Sequence, residues 1–492
     1  MKKIFLSILV MISVFHSNAQ NEENIVIGKK INIYSNTLKE NRRIWIYTPT
    51  ATSSITAGNK RYPVLYLLDG DAHFLSTVGI IQQLSQANGN AILPEMIVVG
   101  IENTNRLRDL TPASRKTNGD EITNPFVHFL SSELVPYIDK NYNTAPYKLL
   151  AGHSLGGLTA IDILTNTPDM FNAYIAIDPS MWYGNEEFLN NAMAALPKQN
   201  LSGKRLFIGI ANTMPKGMNV SNVKNDHTAE TQHIRSILKL DKFLSGNANP
   251  GLKYSSKYYG NDNHNSVPLI SEYDALRFIF DYFPMQATEK DFADSTSLIV
   301  TKIKSHYAVI STEMGYRFAP LEAVINYFAY EALTKKQFSK AQAFLKLNIE
   351  NYPNSSKALE AYGDYFIALQ DTANAIENYK KALAIDDDTS IHNKLNSLAH
   401  KTNFPVSENY LRNYTGNYLL ENYKITITLE LRNGKLYAKV PGQADDEFIP
   451  VSKDVFTVKD KQGYKVTFAM NGEKPTGFTS VQPNGTFKAT WE

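Results

Sequence analysis

The sequence contains no cysteine among its 492 residues. Disulfides, thiolate metal sites and a lipid-modified cysteine behind a leader are therefore excluded, and the protein must be stable through packing alone. Dense runs of Lys or Arg are also missing. Lys plus Arg number 50 against 48 for Asp plus Glu, a formal net charge of +2. This balance gives no reason to expect a nucleic acid or another polyanionic partner.

Long apolar runs are absent except near the first residue. Two lysines precede an apolar run over residues 4–15, and small residues follow at Ser17 and Ala19. The run is shorter than the ~20 residues that a membrane-spanning helix needs. This arrangement is typical of a cleaved signal peptide. We therefore predict a signal peptide over residues 1–19 and a periplasmic or secreted protein with no membrane span in its mature chain. A retained membrane anchor is the alternative.

Residues 25–285 alternate between strand and helix patterns. Short apolar runs end in Gly, Ser, Glu or Asn, as in "YPVLYLLDG", "EMIVVGIE", "YKLLAGHS", "AYIAIDPS" and "KRLFIGIAN". Strands buried on both faces of a parallel sheet have this pattern, and amphipathic helical segments separate them here. We predict an α/β domain, with a mostly parallel sheet covered by helices on both faces.

Residues 290–400 have a helical pattern in which positions 34 residues apart are similar, for example Ala341 with Ala375 and Leu345 with Tyr379. This period resembles the tetratricopeptide repeat, and two repeats are predicted. They would bind a protein partner or serve as an intramolecular spacer.

Residues 408–492 change to a period of two, with short strands joined by turns such as "RNGK" and "NGEK". Asn-Gly turns of this kind are typical of hairpins. We predict a small antiparallel sheet or barrel. The segments "YTGNYLL" and "FIPVSKDVF" resemble the all-β domain of unknown function that follows exported bacterial serine hydrolases. No residue set in this region suggests chemistry.

The segment Gly152-His153-Ser154-Leu155-Gly156 fits G-x-S-x-G. An apolar strand precedes it and a helical pattern follows, which is the strand–turn–helix setting of a nucleophile elbow. The turn is so tight that side chains two positions on either side of the serine would collide, and glycine removes them. We predict Ser154 as the nucleophile, and a tight packing corner is the alternative.

A serine hydroxyl needs a base. His264 lies in a loop between the last strand and the last helix, where the chain order Ser, acid, His places it. His233 lies in a helical pattern and is predicted to be a surface residue. His227 and His233 are six positions apart, which is not the spacing of a helical metal-binding pair. No metal and no organic cofactor are expected.

The orienting carboxylate should follow the strand "RLFIGIAN", but this strand ends in Asn212, which cannot supply the charge. We predict Asp226, the next carboxylate, with Glu230 as second choice. Asp178, at the end of the preceding strand, is a weaker candidate. A Ser–His pair without a firm acid is a further alternative.

The oxyanion needs two backbone N–H donors. One should be that of Leu155, the residue after the nucleophile. The other should come from the loop "LLDGDAHF", so we predict the N–H of Asp71 or of a direct neighbour.

Several segments together resemble a known family, namely "VLYLLDGDAHF", "MIVVGIENTNRLRDLTP", "LLAGHSLGGLTAI", "IDPSMWY" and "NHNSVPLISEYDALRFIF". They are similar to the "putative esterase" family of α/β-hydrolases, which includes esterase D-type enzymes, feruloyl esterases, siderophore esterases and mycolyltransferases. The resemblance implies that Ser154 is the nucleophile and His264 the base. It also implies that Trp182 and Arg106 or Arg108 lie near the pocket mouth; a loop ion pair with Asp109 is the alternative for the arginines.

The function that this resemblance implies is hydrolysis of carboxylic esters, with siderophore, hydroxycinnamoyl or acetyl-polysaccharide esters as substrates. An acyltransferase of the same fold is one alternative. The other is an inactive hydrolase scaffold in a protein that binds partners through its helical repeats.

Overall fold

The computed structural model describes residues 24–49, 60–87, 90–112, 124–399 and 406–492. The predicted signal peptide lies outside the described residues. The chain forms two compact units, which divide between Ile279 and Phe280. Within the described ranges, no helix is long and apolar enough to cross a membrane.

The first unit is built on an eight-stranded sheet with the strand order β1-β2-β4-β3-β5-β6-β7-β8. Its strands are β1 (Lys29–Ser35), β2 (Glu40–Tyr47), β3 (Tyr62–Leu67), β4 (Ile97–Ile101), β5 (Thr144–His153), β6 (Ala173–Ile177), β7 (Lys204–Ala211) and β8 (Leu252–Tyr259). The pairs β1–β2 and β2–β4 are antiparallel, and all other neighbours are parallel. The prediction of a mostly parallel sheet is confirmed.

Helices separate most of these strands: α1 (Gly70–Ser85), α2 (Arg106–Leu110), α3 (Pro125–Phe129), α4 (Val135–Asn141), α5 (Leu155–Asn166), α6 (Glu187–Ala195), α7 (Gln232–Ser245) and α8 (Val267–Ile279). Every residue of β4 and β6 is buried, which explains why these runs are continuously apolar. Because β3, β5 and β6 are parallel, the residues that follow them, Asp69, Ser154 and Asp178, meet at one edge of the sheet.

The second unit begins with helices: α9 (Glu289–Ala293), α10 (Leu298–Met314), α11 (Glu322–Thr334), α12 (Phe338–Asn351), α13 (Ser356–Ala368), α14 (Thr372–Leu383), α15 (Thr389–Ala399) and α16 (Glu408–Arg412). α11 packs on α12, and α13 packs on α14. Buried Asp364 accepts hydrogen bonds from the hydroxyls of Tyr330 and Tyr379, both at 2.6 Å, and so joins the two pairs. The assignment of these helices to tetratricopeptide repeats, and a protein partner for them, stay predictions.

The second unit ends in a closed antiparallel barrel of eight strands: β9 (Gly416–Leu420), β10 (Ile425–Arg432), β11 (Lys435–Lys439), β12 (Asp446–Ser452), β13 (Val455–Val458), β14 (Lys461–Asn471), β15 (Lys474–Gln482) and β16 (Gly485–Trp491). Aromatic side chains fill its core, with Tyr414, Phe456 and Phe468 in mutual contact. Asn433 and Gly434 both have positive φ, as the hairpin turn predicted from "RNGK" requires.

Candidate active site

Ser154 occupies the sharp turn between β5 and α5, with φ 60° and ψ −115°. This is a strained conformation for a residue with a side chain. A Cβ at Gly152 would lie 2.3 Å from the carbonyl carbon of Gly156, a backbone atom. The turn therefore requires glycine at position 152, as the sequence argument predicts, and it presents the serine at the sheet edge.

A hydrogen-bonded chain runs from Ser154 into the protein. His264 Nε2 lies 3.1 Å from Ser154 Oγ, and His264 Nδ1 lies 2.6 Å from Asp178 Oδ2. Because a carboxylate oxygen only accepts, Nδ1 carries the proton, which leaves the Nε2 lone pair facing the serine hydroxyl. Ser180 Oγ lies 3.2 Å from Ser154 Oγ, a contact that the sequence did not indicate.

The prediction that Asp226 orients His264 is corrected by this geometry. The Asp226 carboxylate accepts hydrogen bonds from the hydroxyls of Thr228 and Thr231 instead. Asp178, the weaker candidate, holds the position because it directly follows β6, and β6 lies beside both β5 and β7 in the sheet. Glu230 lies in a short 3₁₀ turn before α7.

Asp178 is completely buried, with φ 41°. Burial alone would raise the pKa of its carboxyl, but hydrogen bonds from His233 and His264 outweigh burial and hold the pKa well below its ordinary value. The backbone N–H of Ala211 donates to Asp178 Oδ1 at 2.9 Å. The carboxylate is therefore ionised and fixed by donors on both oxygens.

His233 is not the surface residue that its helical pattern predicts. Its Nε2 lies 2.8 Å from Asp178 Oδ2, and its side chain is 19% exposed, so it is not a free surface residue. Its ring contacts that of His264 edge to face, with the centroids 5.1 Å apart. A helical pattern alone does not show that the first turn of α7 faces the end of β6.

His153 and His73 extend the group of imidazoles. The ring of His153 lies 4.5 Å from that of His264 and 5.7 Å from that of His73. Burial, followed by the repulsion of His264 and His73, lowers the pKa of His153 to about 4. Burial also lowers the pKa of His73. Both rings are therefore neutral near pH 7 and leave the surroundings of His264 without added positive charge.

Within the described ranges, one group of side chains has metal-ligand character. Ligand atoms of Asp178, His233 and His264 lie within 4.8 Å of one another. Their contacts of 2.6 and 2.8 Å are hydrogen bonds that each contain a proton, and these protons account for the arrangement. No metal role is assigned to them.

Arg106, predicted near the pocket mouth, binds within the protein. Its Nε donates to Asp69 Oδ1 at 2.6 Å and its Nη2 to Asp69 Oδ2 at 2.9 Å. Nη2 also donates to the carbonyl of His153 at 3.2 Å. Arg106 therefore ties the loop after β3 to the end of β5. Arg108 pairs with Asp109, the alternative stated for the arginines, and also with Glu40.

The two predicted oxyanion donors lie at helix starts. Leu155 is the first residue of α5, and Asp71 is the second residue of α1. The first N–H groups of a helix have no acceptor inside that helix. A Cβ on Gly156 would lie 3.3 Å from Asp69 Oδ2, so the two helix starts are adjacent. Trp182, predicted near the pocket mouth, is 42% exposed in the turn after β6.

Comparison with known proteins gives two family matches. Residues 35–245 match the model of the family described as "Putative esterase". Residues 401–491 match the "Domain of unknown function (DUF3471)".

Individual relatives are similar over about a third of the chain. The ferri-bacillibactin esterase BesA of Bacillus subtilis is 30% identical over 183 residues, which are 33% of this chain and 62% of that protein. The apo-salmochelin esterase of Escherichia coli is 29% identical over 178 residues, 32% of this chain and 52% of that protein. The chain thus covers less than two thirds of the length of these curated relatives.

A solved structure extends the likeness. The IroE-like serine hydrolase from Shewanella oneidensis is 29% identical, with a TM-score of 0.51, and the match covers 66% of this chain and 99% of that one. The first unit has the α/β-hydrolase fold. Asp69, Ser154 and Asp178 follow β3, β5 and β6, so the hydrogen-bonded chain lies at the sheet edge where open α/β folds bind ligands.

Proposed function

We propose that this protein is an exported serine esterase that cleaves carboxylic esters through an acyl-enzyme on Ser154. The observation that carries the proposal is the continuous hydrogen-bonded chain from Ser154 through His264 to Asp178, with the serine in the strained turn of a nucleophile elbow. The family model and the two esterase relatives support an ester as the substrate.

In the first step, Ser154 Oγ attacks the acyl carbon while His264 Nε2 takes its proton. The resulting imidazolium is stabilised by ionised Asp178 at 2.6 Å. The backbone N–H groups of Leu155 and Asp71 donate to the tetrahedral oxyanion, and each such donor contributes ~3 kcal/mol in comparable enzymes. His264 then protonates the leaving alcohol, and the acyl group remains on Ser154.

In the second step, water attacks the acyl carbon while His264 takes its proton. The bond to Ser154 Oγ then breaks, His264 returns the proton to Oγ, and the carboxylic acid leaves. The His264 side chain is 33% exposed, so water reaches the group that must activate it. This exposure favours hydrolysis over transfer to another alcohol, which requires that water be excluded.

For the substrate class we propose siderophore esters, because a further curated relative, from Emericella nidulans and 27% identical over 179 residues (32% of this chain and 57% of that protein), is named a siderophore enterobactin esterase. Trp182 provides an exposed aromatic surface in the turn that also carries Ser180. It would pack on a flat acyl group at the mouth of the site. Arg106 would act indirectly, by holding the loop of Asp69 in place.

The test is hydrolysis of ferri-bacillibactin and of short p-nitrophenyl esters by residues 20–492, beside Ser154→Ala. Mass spectrometry of the products identifies the cleaved bond. We expect turnover of both substrates, and loss by several orders of magnitude in the variant. Turnover of p-nitrophenyl esters alone would support the proposed esterase activity and contradict the proposed siderophore substrate.

A further inference from the structure

Asp178 has two imidazole partners, whereas the mechanism above uses one. His264 Nδ1 and His233 Nε2 both contact Oδ2 of Asp178, at 2.6 and 2.8 Å. His233 belongs to the first turn of α7, on a different element from the other members of the chain. The role of this second imidazole is not explained by the transfer of a proton from Ser154 to His264.

The proton positions follow from the chemistry of the acceptor. Asp178 is ionised and only accepts, so both facing nitrogens are donors. Nε2 of His233 therefore carries a proton. A carboxylate that serves two donors through one oxygen offers less negative charge to each of them.

We propose that His233 is a positioning residue, which holds the Asp178 carboxylate in the orientation that His264 requires and moderates its charge. Together with the Ala211 N–H on Oδ1 at 2.9 Å, it fixes both carboxylate oxygens. Asp178 follows β6, which lies beside β7 in the sheet, and has a backbone φ of 41°. Its carboxylate needs these contacts to stay directed at His264. The proposal rests on the proposed function, since its role is to prepare His264 as a base.

Two consequences distinguish this role from a merely structural one. Without the His233 donor, Asp178 stabilises the His264 imidazolium more strongly, so His264 becomes protonated at a higher pH. At the same time the carboxylate loses one of its fixed contacts, so kcat falls while KM, which reports on substrate contacts, does not change. Within the described residues, the ionisable groups near this pair include His153 of β5 and His73 of α1, with the Asp69–Arg106 pair beside them, and the variants below leave all of these unchanged.

The experiment compares His233→Ala with His233→Gln, because glutamine keeps an N–H donor but does not titrate. Exposed His227→Ala is the matched control. We expect His233→Ala to lower kcat about tenfold and to move the acid limb of kcat/KM upward by about half a pH unit, since ~1.4 kcal/mol corresponds to one unit. His233→Gln should recover most of both effects, and His227→Ala should match the wild type.

A second measurement does not depend on turnover. NMR titration of the His264 ring in the Ser154→Ala background, with and without His233→Ala, reports the same shift even if no ester is cleaved. An upward shift in this titration supports the inference. The inference would be overturned if the His264 titration did not change. It would also be overturned if the Ala and Gln variants lost kcat equally and the acid limb of kcat/KM did not move.

Discussion

The buried carboxyl of Glu272, on α8, allows a prediction of how the free energy of unfolding depends on pH. Its side chain is buried in contact with α1, where Thr77 Oγ1 lies 2.8 Å from Glu272 Oε2. The single proton of the Thr77 hydroxyl also faces the carbonyl of His73 at 2.9 Å. If Thr77 donates to that carbonyl, Glu272 must donate to Thr77, and this requires a protonated carboxyl.

Burial agrees with this assignment, because it raises the pKa of Glu272 from 4.5 to about 8, against a smaller lowering by the Thr77 hydrogen bond. In the unfolded chain the carboxyl ionises near 4.5. The stability associated with the protonated group is therefore fully present below pH 4.5 and is lost as the pH rises through about 8.

The perturbation is Glu272→Gln, a neutral side chain of the same shape. At ~1.4 kcal/mol per unit, the interval from 4.5 to pH 7 corresponds to about 3 kcal/mol. The variant should be about this much more stable than the wild type at pH 7, and equal to it near pH 4. The hydrogen bond to Thr77 survives, because the glutamine amide donates in place of the protonated acid.

The assay is urea unfolding of the full chain at several pH values. In a Trp491→Phe background the remaining tryptophans, Trp45 and Trp182, both lie in the first unit and report its transition. Exposed Glu187→Gln is the control, because it removes a carboxylate without removing a buried charge. A difference for Glu272→Gln that is the same at pH 5 and pH 8 would refute the reasoning.

Two further predictions concern the site. Gly152→Ala places a Cβ 2.3 Å from backbone of Gly156, so it should abolish labelling of the serine by a fluorophosphonate, whereas Gly79→Ala, with nothing within 4 Å, should leave labelling unchanged. Equal labelling of both variants would contradict the geometry of the turn. Asp178→Asn should lower kcat about 10⁴-fold, as in other triads, and Asp226→Asn should retain activity. If Asp226→Asn lost more activity than Asp178→Asn in ester assays, Asp226 would be the carboxylate that orients His264.

Much of this fold could be predicted because its signals are local. Continuously apolar runs such as β4 and β6 are explained by strands covered on both faces. Gly152 and Gly156 indicated the elbow because a steric requirement between residues four positions apart is visible in the sequence. The turn at Asn433 and Gly434 was predicted for the same reason.

The roles of Asp178 and of its second partner, His233, depend on contacts between distant parts of the chain, which the sequence does not show. His264 and Asp178 are 86 positions apart, and His233 and Asp178 are 55 apart. The expectation that the orienting carboxylate follows β7 assumes that the end of β7 is the one that faces the base. Parallel packing of β6 between β5 and β7 allows the end of β6 to supply it equally well. Asp178 lies near the end of the run "AYIAIDPS" and is a candidate in the sequence, but sequence order does not rank it above Asp226.

The proposed mechanism requires that Ser154 is an activated nucleophile. The most direct measurement is labelling of residues 20–492 by a fluorophosphonate, with the modified peptide identified by mass spectrometry and p-nitrophenyl acetate turnover followed in parallel. We expect one label on Ser154, loss of turnover in proportion to labelling, and neither label nor turnover in Ser154→Ala. A wild-type protein that takes up no label and hydrolyses esters no faster than Ser154→Ala would contradict it.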